Sequence, residues 1–232
     1  MNGAAVLALS VVTPAYNEAE NLPLFHARLV AALAGLDDLD GSWEWIVVDD
    51  GSRDGTSDAV ARLAARDARV RGVRLPRNAG SHPAILRGLA ESRGAAVLVL
   101  AADLQDPPEL CAEILARWRA GARVVWAVRR RRDGEGRLAV ASSRLYHALL
   151  RRLRGARGLP AEGTGFCLLD RGVVETVCRR ARPPVDVFAA VGRLGVRSAA
   201  VPYDRSPRRH GRSGWSWSKK VRFALRSLAG AR

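Results

Sequence analysis

The 232-residue sequence has few lysines and cysteines for its size, and this restricts its class. Lys219 and Lys220 are the only lysines, so arginine carries nearly all of a formal charge of +15. The three cysteines, Cys111, Cys167 and Cys178, share no CxxC spacing. A disulfide framework or a structural zinc site is therefore not expected, and a reducing cytoplasm is the simpler interpretation.

Long apolar runs are also absent. The longest covers residues 95–102, whereas a helix that spans a bilayer needs about 20 apolar residues. The apolar stretch at residues 4–12 has no lysine or arginine before it and ends at Pro14, so we predict a strand there rather than a signal peptide. With 48% hydrophobic residues the chain can bury a core, which excludes a disordered protein. We expect a soluble or peripheral protein.

The excess of positive charge indicates the partner only by class. A strong positive field attracts nucleic acid, anionic lipid or phosphorylated small molecules. The charge alone does not select among these three.

The first half of the sequence alternates between short apolar runs and helical patterns. The predicted strands cover residues 6–12, 45–48, 70–75, 96–101 and 124–128. The predicted helices start near Asn17 or Asn21 as caps, near residue 60, near residue 84, and at Pro107-Pro108. Strands that are apolar throughout and alternate with helices are typical of a parallel sheet covered on both faces. No domain boundary is expected before about residue 200.

Polar loops follow the first, second and fourth predicted strands. They are residues 14–18, 49–52 and 103–106. In open α/β sheets, ligands bind outside the carboxyl ends of the strands. The sequence therefore predicts a nucleotide and metal site at one edge of the sheet.

Six motifs occur in a recognisable order: TPAYNEAENLP, IVVDDGSRDGT, RNAGSHPAILRGL, AADLQDPPEL, TGFCLLDR and RSPRRHGRSGWS. Together they resemble family-two inverting glycosyltransferases of the GT-A fold, in particular polyprenyl-phosphate hexose synthases such as dolichol-phosphate mannosyltransferase and bactoprenol glucosyltransferases. The resemblance covers about residues 8–220. It implies a single α/β domain of GT-A (Rossmann-like) type, with a mostly parallel central sheet flanked by helices, over residues 1–204. A basic acceptor loop and a C-terminal amphipathic helix would follow in residues 205–232.

The resemblance also implies a donor site. Asp50 would accept a hydrogen bond from the base or the ribose. The residues implied for nucleotide-sugar binding are Pro14, Tyr16, Glu18, Val48, Asp50, Ala102, Asp103 and Gln105. The alternative is that Asp49 and Asp50 only cap the turn to the next helix, which is a common use of aspartate.

Asp103 and Gln105 are the predicted metal ligands. Their hard oxygen atoms suit Mg²⁺ or Mn²⁺ held jointly with a diphosphate, and the metal would neutralise charge on the leaving group. The family usually has Asp-x-Asp here, but this chain has Ala101-Ala102-Asp103. The first carboxylate is therefore missing. A relative that binds without catalysing, or a simple loop aspartate, remains an alternative.

Arginines are the predicted contacts to phosphate, because guanidinium groups match phosphate oxygens in pairs. The resemblance implies acceptor or phosphate contacts from Arg129, Arg132, Ser143, Arg208 and Ser213, and catalytic roles for Asp103, Arg129 and Arg208. The alternatives are solvated arginines, a serine on a helix surface, and a basic arm for nucleic acid with Trp215 and Trp217 as stacking platforms. His82 is expected to start a helix rather than to catalyse.

The predicted acceptor follows from a missing base. Many relatives have an aspartate in a Gly-Asp-Phe-Arg segment, but residues 163–167 contain no acid. A hydroxyl acceptor generally needs a base, whereas a phosphate monoester is already ionised and needs only positioning and screening. Glu162 would overturn this argument if it faced the sugar.

Membrane contact is predicted from two basic amphipathic stretches, residues 145–153 and the C-terminal segment. The latter has an apolar stripe of Val221, Ala224, Leu225 and Leu228, flanked by basic residues. This pattern suits a helix lying on an anionic membrane, and a helix packed on the domain is the alternative. We expect a cytoplasmic protein with a peripheral site at the inner face of the cell membrane.

Taken together, the sequence predicts a metal-dependent inverting glycosyltransferase. It would move a hexose from a nucleoside-diphosphate sugar to a polyprenyl phosphate, with Mg²⁺ or Mn²⁺ as cofactor. The enzymatic alternative is a soluble hydroxyl acceptor. A nucleic-acid-binding protein is the remote alternative, and no nucleic-acid partner is expected, because acidic loops at the strand ends would repel phosphate unless a metal intervened. The oligomeric state is left open, with a homo-oligomer as one alternative.

Overall fold

The computed structural model describes residues 7–36, 39, 41–130, 148–149, 151–152, 155–161, 164–181 and 186–206. The strands are β1 (Leu9–Ala15), β2 (Trp43–Asp49), β3 (Val70–Arg74), β4 (Ala96–Val99), β5 (Val124–Arg129), β6 (Thr164–Asp170) and β7 (Ser198–Tyr203). The helices are α1 (Asn21–Ala34), α2 (Thr56–Ala64), α3 (Ser81–Glu91), a 3₁₀ turn (Pro108–Leu110), α4 (Cys111–Arg119), α5 (Arg171–Arg180) and α6 (Val187–Gly192).

The seven strands form one sheet in the order β3-β2-β1-β4-β6-β5-β7. Strand β6 runs antiparallel to its neighbours β4 and β5, and the remaining strand pairs are parallel. The prediction of an α/β fold with a mostly parallel central sheet flanked by helices is confirmed.

Two apolar layers cover the two faces of this sheet. On one face, Phe25 and Leu29 of α1 pack in one cluster with Val11 and Trp45. On the other face, Leu89 of α3 packs in a cluster that includes residues of α5 and α6. Because both faces are covered there, the inner strands β1, β2 and β4 are buried at almost every position and mostly apolar, as the sequence pattern indicated. The edge strand β3 is partly exposed and carries two arginines.

Strand β1 ends three residues later than predicted, and it includes Pro14. The carbonyl of Val12 accepts from the N–H of Leu100 on the β4 side, and the carbonyl of Ala15 accepts from the N–H of Asp50 on the β2 side. Since strand residues alternate in direction, the nitrogen of Pro14 faces the β4 side. Strand β4 has already ended there, so the missing N–H costs no ladder hydrogen bond.

The predicted helix caps at Asn17 and Asn21 are wrong. Helix α1 begins at Asn21, and the residue at the cap position is Glu20, whose side chain forms no capping hydrogen bond. Asn17 adopts a left-handed backbone conformation (φ 56°), and its side-chain oxygen accepts from the N–H of Arg53. Asn17 therefore joins two loops instead of starting a helix.

Several arginines hold the loops at the edge of the sheet where β1, β2 and β3 begin. Arg71 pairs with buried Glu44 at 3.1 Å. Glu44 also accepts from Ser10 Oγ (2.8 Å) and from the N–H of Arg93 (2.9 Å). Arg171 donates to the carbonyl of Ser92 (3.0 Å). These arginines stabilise the connection between α3 and β4.

In the part of the chain that the structure describes, no helix is long and apolar enough to cross a membrane. The predicted boundary at residue 204 stays a prediction. The predicted C-terminal helix, from residue 219 onward, lies outside the described residues.

Asp67 should make stability depend on pH. It accepts from Arg69 Nε (2.8 Å) and from His26 Nε2 (2.9 Å), and the hydrogen bond from Arg69 holds the Asp67 pKa well below its usual range. A carboxyl whose pKa is lower in the folded state stabilises the fold above its unfolded pKa of about 4, and this contribution is lost as the pH falls toward the folded value. Asp67→Asn should therefore lower the free energy of unfolding by about 1 kcal/mol at pH 7.

The free energies of unfolding of the wild type and of Asp67→Asn are measured by urea unfolding at pH 7 and at pH 3. The difference between wild type and Asp67→Asn should shrink at pH 3, and exposed Asp58 in α2 provides the control Asp58→Asn. A difference that is the same at both pH values would contradict the prediction.

Candidate active site

The site lies at one edge of the sheet, where the carboxyl ends of the parallel strands meet. Since β6 is antiparallel to β4 and β5, its first residue reaches this same edge. From β1 the chain adds β2 and β3 on one side, and it then crosses over to place β4 on the other side of β1, so the strand order reverses at β1. Such a switch point is where open α/β sheets bind ligands.

Asp50, directly after β2, holds the loop between β3 and α3. Its two carboxylate oxygens accept from the N–H groups of Ala79 (2.7 Å) and Gly80 (2.8 Å). Asp50 is only 3% exposed, and this burial raises its pKa against the effect of the two backbone hydrogen bonds. Each carboxylate oxygen has a second lone pair, so Asp50 can still accept a hydrogen bond from a ligand.

The neighbouring Gly51 must be glycine. Its φ is 66°, and a Cβ there would lie 2.7 Å from the backbone carbon of Arg77. The loops after β2 and β3 are therefore in direct backbone contact beside Asp50.

Asp49 caps the turn to α2. The sequence had left this role open as the alternative for both Asp49 and Asp50. It accepts from the N–H of Ser52 (2.8 Å) and from the hydroxyl of Ser57 in α2. Burial acts to raise the Asp49 pKa, but the hydrogen bonds from Ser52 and Ser57 outweigh it and hold the pKa below its usual value. Thus Asp49 fixes the turn to α2, and Asp50 faces the neighbouring loop.

The other residues predicted to contact the nucleotide separate into two groups. Pro14, Tyr16 and Glu18 lie half-buried at the end of β1, and the N–H of Glu18 donates to Thr56 Oγ1 (2.9 Å). Val48 is fully buried in the cluster beneath α3, so its side chain belongs to the core.

The loop after β4 holds the predicted metal ligands. Asp103 is 6% exposed, and Ala102 beside it is buried. The N–H of Gln105 donates to Asp103 Oδ1 (3.3 Å), and Gln105 Nε2 donates to the carbonyl of Ser206 (3.2 Å). The N–H of Ser206 in turn donates to the carbonyl of Gln105 (3.0 Å). This loop and the segment after β7 are therefore joined by two hydrogen bonds.

The structure brings the predicted Arg129 together with three residues that the sequence reasoning missed. The four residues, called the Asp106 cluster, are Asp106, Arg129, Tyr203 and Arg205. Asp106 is 1% exposed and accepts from the Tyr203 hydroxyl at 2.5 Å. Arg129 Nε donates to Tyr203 Oη (3.4 Å), and Arg205 Nε lies 3.5 Å from Asp106 Oδ1. Burial raises the Asp106 pKa, and the charges of Arg129 and Arg205 oppose that effect.

The same cluster explains Gly165 on β6. A Cβ at Gly165 would overlap the Tyr203 hydroxyl and lie 3.1 Å from Asp106 Oδ1. The sequence signals for the cluster were incomplete. Asp106 is three residues after Asp103, but no pattern shows that β7 lies beside β5 and pairs Tyr203 with Arg129.

A divalent metal fits the residues present. Asp103 offers a carboxylate, and in the described part of the chain Gln105 Oε1 accepts no hydrogen bond, so both hard oxygens that were predicted lie in one loop. The described residues contain no group of three His, Cys, Asp or Glu side chains with metal geometry. Mg²⁺ does not need such a group, since it is usually held by one or two carboxylates, substrate phosphates and water.

His82 has a structural role. It is buried, its Nδ1 accepts from the N–H of Val187 (3.1 Å), and burial lowers its pKa. His82 therefore links α3 to α6 as a neutral ring. Five further residues singled out from the sequence lie outside the described part, and their roles stay predictions: Arg132, Ser143, Glu162, Arg208 and Ser213.

The sequence model of "Glycosyl transferase family 2" matches residues 10–178. The chain belongs to this glycosyltransferase family. An uncharacterized glycosyltransferase of Synechocystis sp. is 35% identical over 222 residues, which are 94% of this chain and 68% of that protein.

A second relative has a named acceptor. The undecaprenyl-phosphate 4-deoxy-4-formamido-L-arabinose transferase of Salmonella dublin is 29% identical over 95% of this chain and 66% of its own length. The chain thus spans about two thirds of the length of these two relatives.

A solved structure has the same fold. Glucosyl-3-phosphoglycerate synthase from Mycobacterium tuberculosis, in complex with Mn²⁺, uridine diphosphate and phosphoglyceric acid, superposes with a TM-score of 0.62. It is 22% identical and covers 96% of this chain and 76% of its own. The GT-A prediction is confirmed.

Removing the Tyr203 hydroxyl should destabilise this glycosyltransferase. Tyr203→Phe leaves the buried Asp106 carboxylate without one of its donors, which costs about 1–3 kcal/mol. Urea unfolding at pH 7 measures the loss. Tyr16→Phe removes a hydroxyl from a half-buried tyrosine at the same edge and serves as the control. If both variants unfold at the same urea concentration, the hydrogen bond to Asp106 contributes nothing measurable.

Proposed function

We propose that the protein transfers a hexose from a nucleoside-diphosphate sugar to a polyprenyl phosphate with the help of a divalent metal. The observation that carries this proposal is the convergence of Asp103 and Gln105 with Arg129 and Arg205 at one edge of the sheet. This convergence supports a site in which oxygen ligands for a metal and cations for phosphate would act together. The membership in glycosyl transferase family 2 supports the reaction class.

The donor would lie across β1, with its nucleoside toward Asp50 and its diphosphate toward Asp103. This orientation is supported by the burial of Asp50 against the loop at Ala79 and Gly80, which leaves a carboxylate edge for a base or ribose. When bound, the metal would supply positive charge at the diphosphate oxygens, where negative charge develops on the leaving group. Asp103 and Gln105 would hold it.

The acceptor is inferred from the absence of acid in residues 163–167. The hydroxyl of Thr164, the first residue of β6, lies 2.7 Å from the carbonyl of Phe166 and 3.0 Å from that of Ala127, so its proton is used within the sheet. A phosphate monoester needs no base: its oxygen would attack the anomeric carbon in line, and the bond from that carbon to the diphosphate oxygen would break. Arg129 would orient the attacking phosphate through paired hydrogen bonds. The name of the Salmonella relative includes undecaprenyl phosphate as its acceptor.

A soluble acceptor is the second candidate. The solved glucosyl-3-phosphoglycerate synthase, whose fold is shared, holds phosphoglyceric acid. That acceptor also carries a phosphate, so the arginines of the Asp106 cluster would serve either acceptor. A hydroxyl acceptor, however, requires a base that residues 163–167 do not supply.

The acceptor is tested by the release of nucleoside diphosphate. The enzyme is incubated with Mn²⁺ and a panel of nucleotide sugars, with and without undecaprenyl phosphate. We expect release with one donor only when the lipid phosphate is present. Release that needs a hydroxyl compound instead would move the assignment to the soluble acceptor.

Asp103→Asn should lower kcat by roughly 100-fold, because a carboxylate that holds the metal becomes a neutral amide. The measurement is steady-state release of nucleoside diphosphate at saturating Mn²⁺. Exposed Asp204, at the same edge, supplies the control Asp204→Asn with the same change of charge. An Asp103→Asn enzyme as active as this control would remove Asp103 from the metal site.

Contact with a membrane is a further part of the proposal, supported by the basic amphipathic sequence around Lys219, Lys220, Arg222 and Arg226. The protein should float with anionic liposomes at low salt and be released by high salt, since screening weakens surface attraction. Neutral liposomes are the control. A protein that stays in the unbound fraction with anionic liposomes would contradict peripheral attachment.

A further inference from the structure

We propose that Arg205 is the resident cation of Asp103 and Asp106 in the metal-free enzyme, and that its guanidinium leaves them when a divalent metal binds. This inference rests on the metal site of the proposed function. It assigns to Arg205 the control of metal affinity at that site.

The guanidinium of Arg205 lies between the carboxylates of Asp103 and Asp106. Its Nη2 lies 3.6 Å from Asp103 Oδ2, and its Nε lies 3.5 Å from Asp106 Oδ1. The two carboxylates are 6% and 1% exposed. Buried carboxylates need a counter-charge or hydrogen bonds to remain ionised. Within the described residues, the guanidinium of Arg205 lies within salt-bridge distance of both carboxylates.

Arg205 is held near the two carboxylates without short hydrogen bonds. Arginine and carboxylate groups normally form forked hydrogen bonds of about 2.7–2.9 Å. Both contacts of Arg205 are longer, and its buried Nε has no hydrogen-bond partner in the described part of the chain. Charge attraction rather than directed hydrogen bonding therefore holds the side chain. Such a contact can be released at low cost when another cation replaces it.

The backbone beside Arg205 is fixed independently of its side chain. The two hydrogen bonds between Ser206 and Gln105 join the two loops. Because Gln105 Nε2 is used by the Ser206 carbonyl, its Oε1 is left for a metal. The backbone can thus stay in place while the guanidinium moves. A freed guanidinium at this edge would lie beside the phosphate groups of the substrates, which it can bind in pairs.

The test is the affinity of the enzyme for Mn²⁺ alone, without nucleotide, measured by electron paramagnetic resonance of free Mn²⁺. In Arg205→Gln the competing cation is gone, so Mn²⁺ should bind about three- to fivefold more tightly than in wild type. Arg205→Lys keeps the charge and should stay within about twofold of wild type. Arg130→Gln removes an exposed arginine at the same edge and controls for net charge.

The outcomes separate this inference from the proposed function. If Arg205→Gln binds Mn²⁺ no more tightly than Arg130→Gln does, Arg205 is not the competing cation, although binding by wild type would still support the metal site. If neither the variants nor the wild-type protein binds Mn²⁺ alone, the inference about Arg205 is overturned. The proposed function is then still decided by the Mn²⁺-dependent release of nucleoside diphosphate, because substrate phosphates supply part of the metal's ligands there.

A second measurement on the wild-type protein does not depend on the folding of Arg205→Gln. The Nε–H resonance of Arg205 is assigned by nuclear magnetic resonance from its loss in Arg205→Lys. Titration with diamagnetic Mg²⁺ should shift this resonance more than that of any arginine far from the site, such as Arg171. An unshifted resonance at saturating Mg²⁺ would overturn the inference.

Discussion

The burial of carboxylates at a single edge of the sheet is the constraint on which the site depends. Asp49, Asp50, Asp103 and Asp106 are all nearly inaccessible, and a buried charge is costly unless donors or cations surround it. Each is compensated in its own way. Asp49 uses hydroxyl and backbone donors, and Asp50 uses two backbone N–H groups. Asp103 uses the N–H of Gln105 with Arg205 nearby, and Asp106 uses a tyrosine with arginines nearby. The loops are therefore shaped around these carboxylates.

The sequence predicted the fold well where local pattern and burial agree. The apolar strands and the polar loops after them indicated the parallel half of the sheet and its active edge, and the ordered motifs indicated the family. The sequence did not reveal the antiparallel strand β6 or the placement of β7, since both depend on pairings between residues far apart in the chain. The contact of Tyr203 with Asp106 spans 97 positions, and no periodicity encodes it.

Some of the arginines have structural roles. Arg69 stacks over Trp43 at 4.2 Å and pairs with Asp67, while Arg71 and Arg171 hold the segment between α3 and β4. Arginine suits these places because its planar group can bind several carbonyl or carboxylate oxygens at once. The positive charge is thus only partly a signal of anionic ligands, which is why composition could not identify the partner.

The antiparallel strand β6 separates the sheet into two assemblies with different chain origins. Strands β3, β2, β1 and β4 come from residues 9–99, one continuous stretch, and β6, β5 and β7 come from residues 124–203. The first stretch carries Asp50, and the second carries Arg129 and Tyr203; the loop with Asp103 and Asp106 connects them. In the proposed function, recognition of the nucleoside and recognition of the second substrate would therefore fall to separate blocks of sequence. The two blocks meet where β4 pairs with β6, so this pairing and the short acidic loop are what the binding residues of both blocks would share.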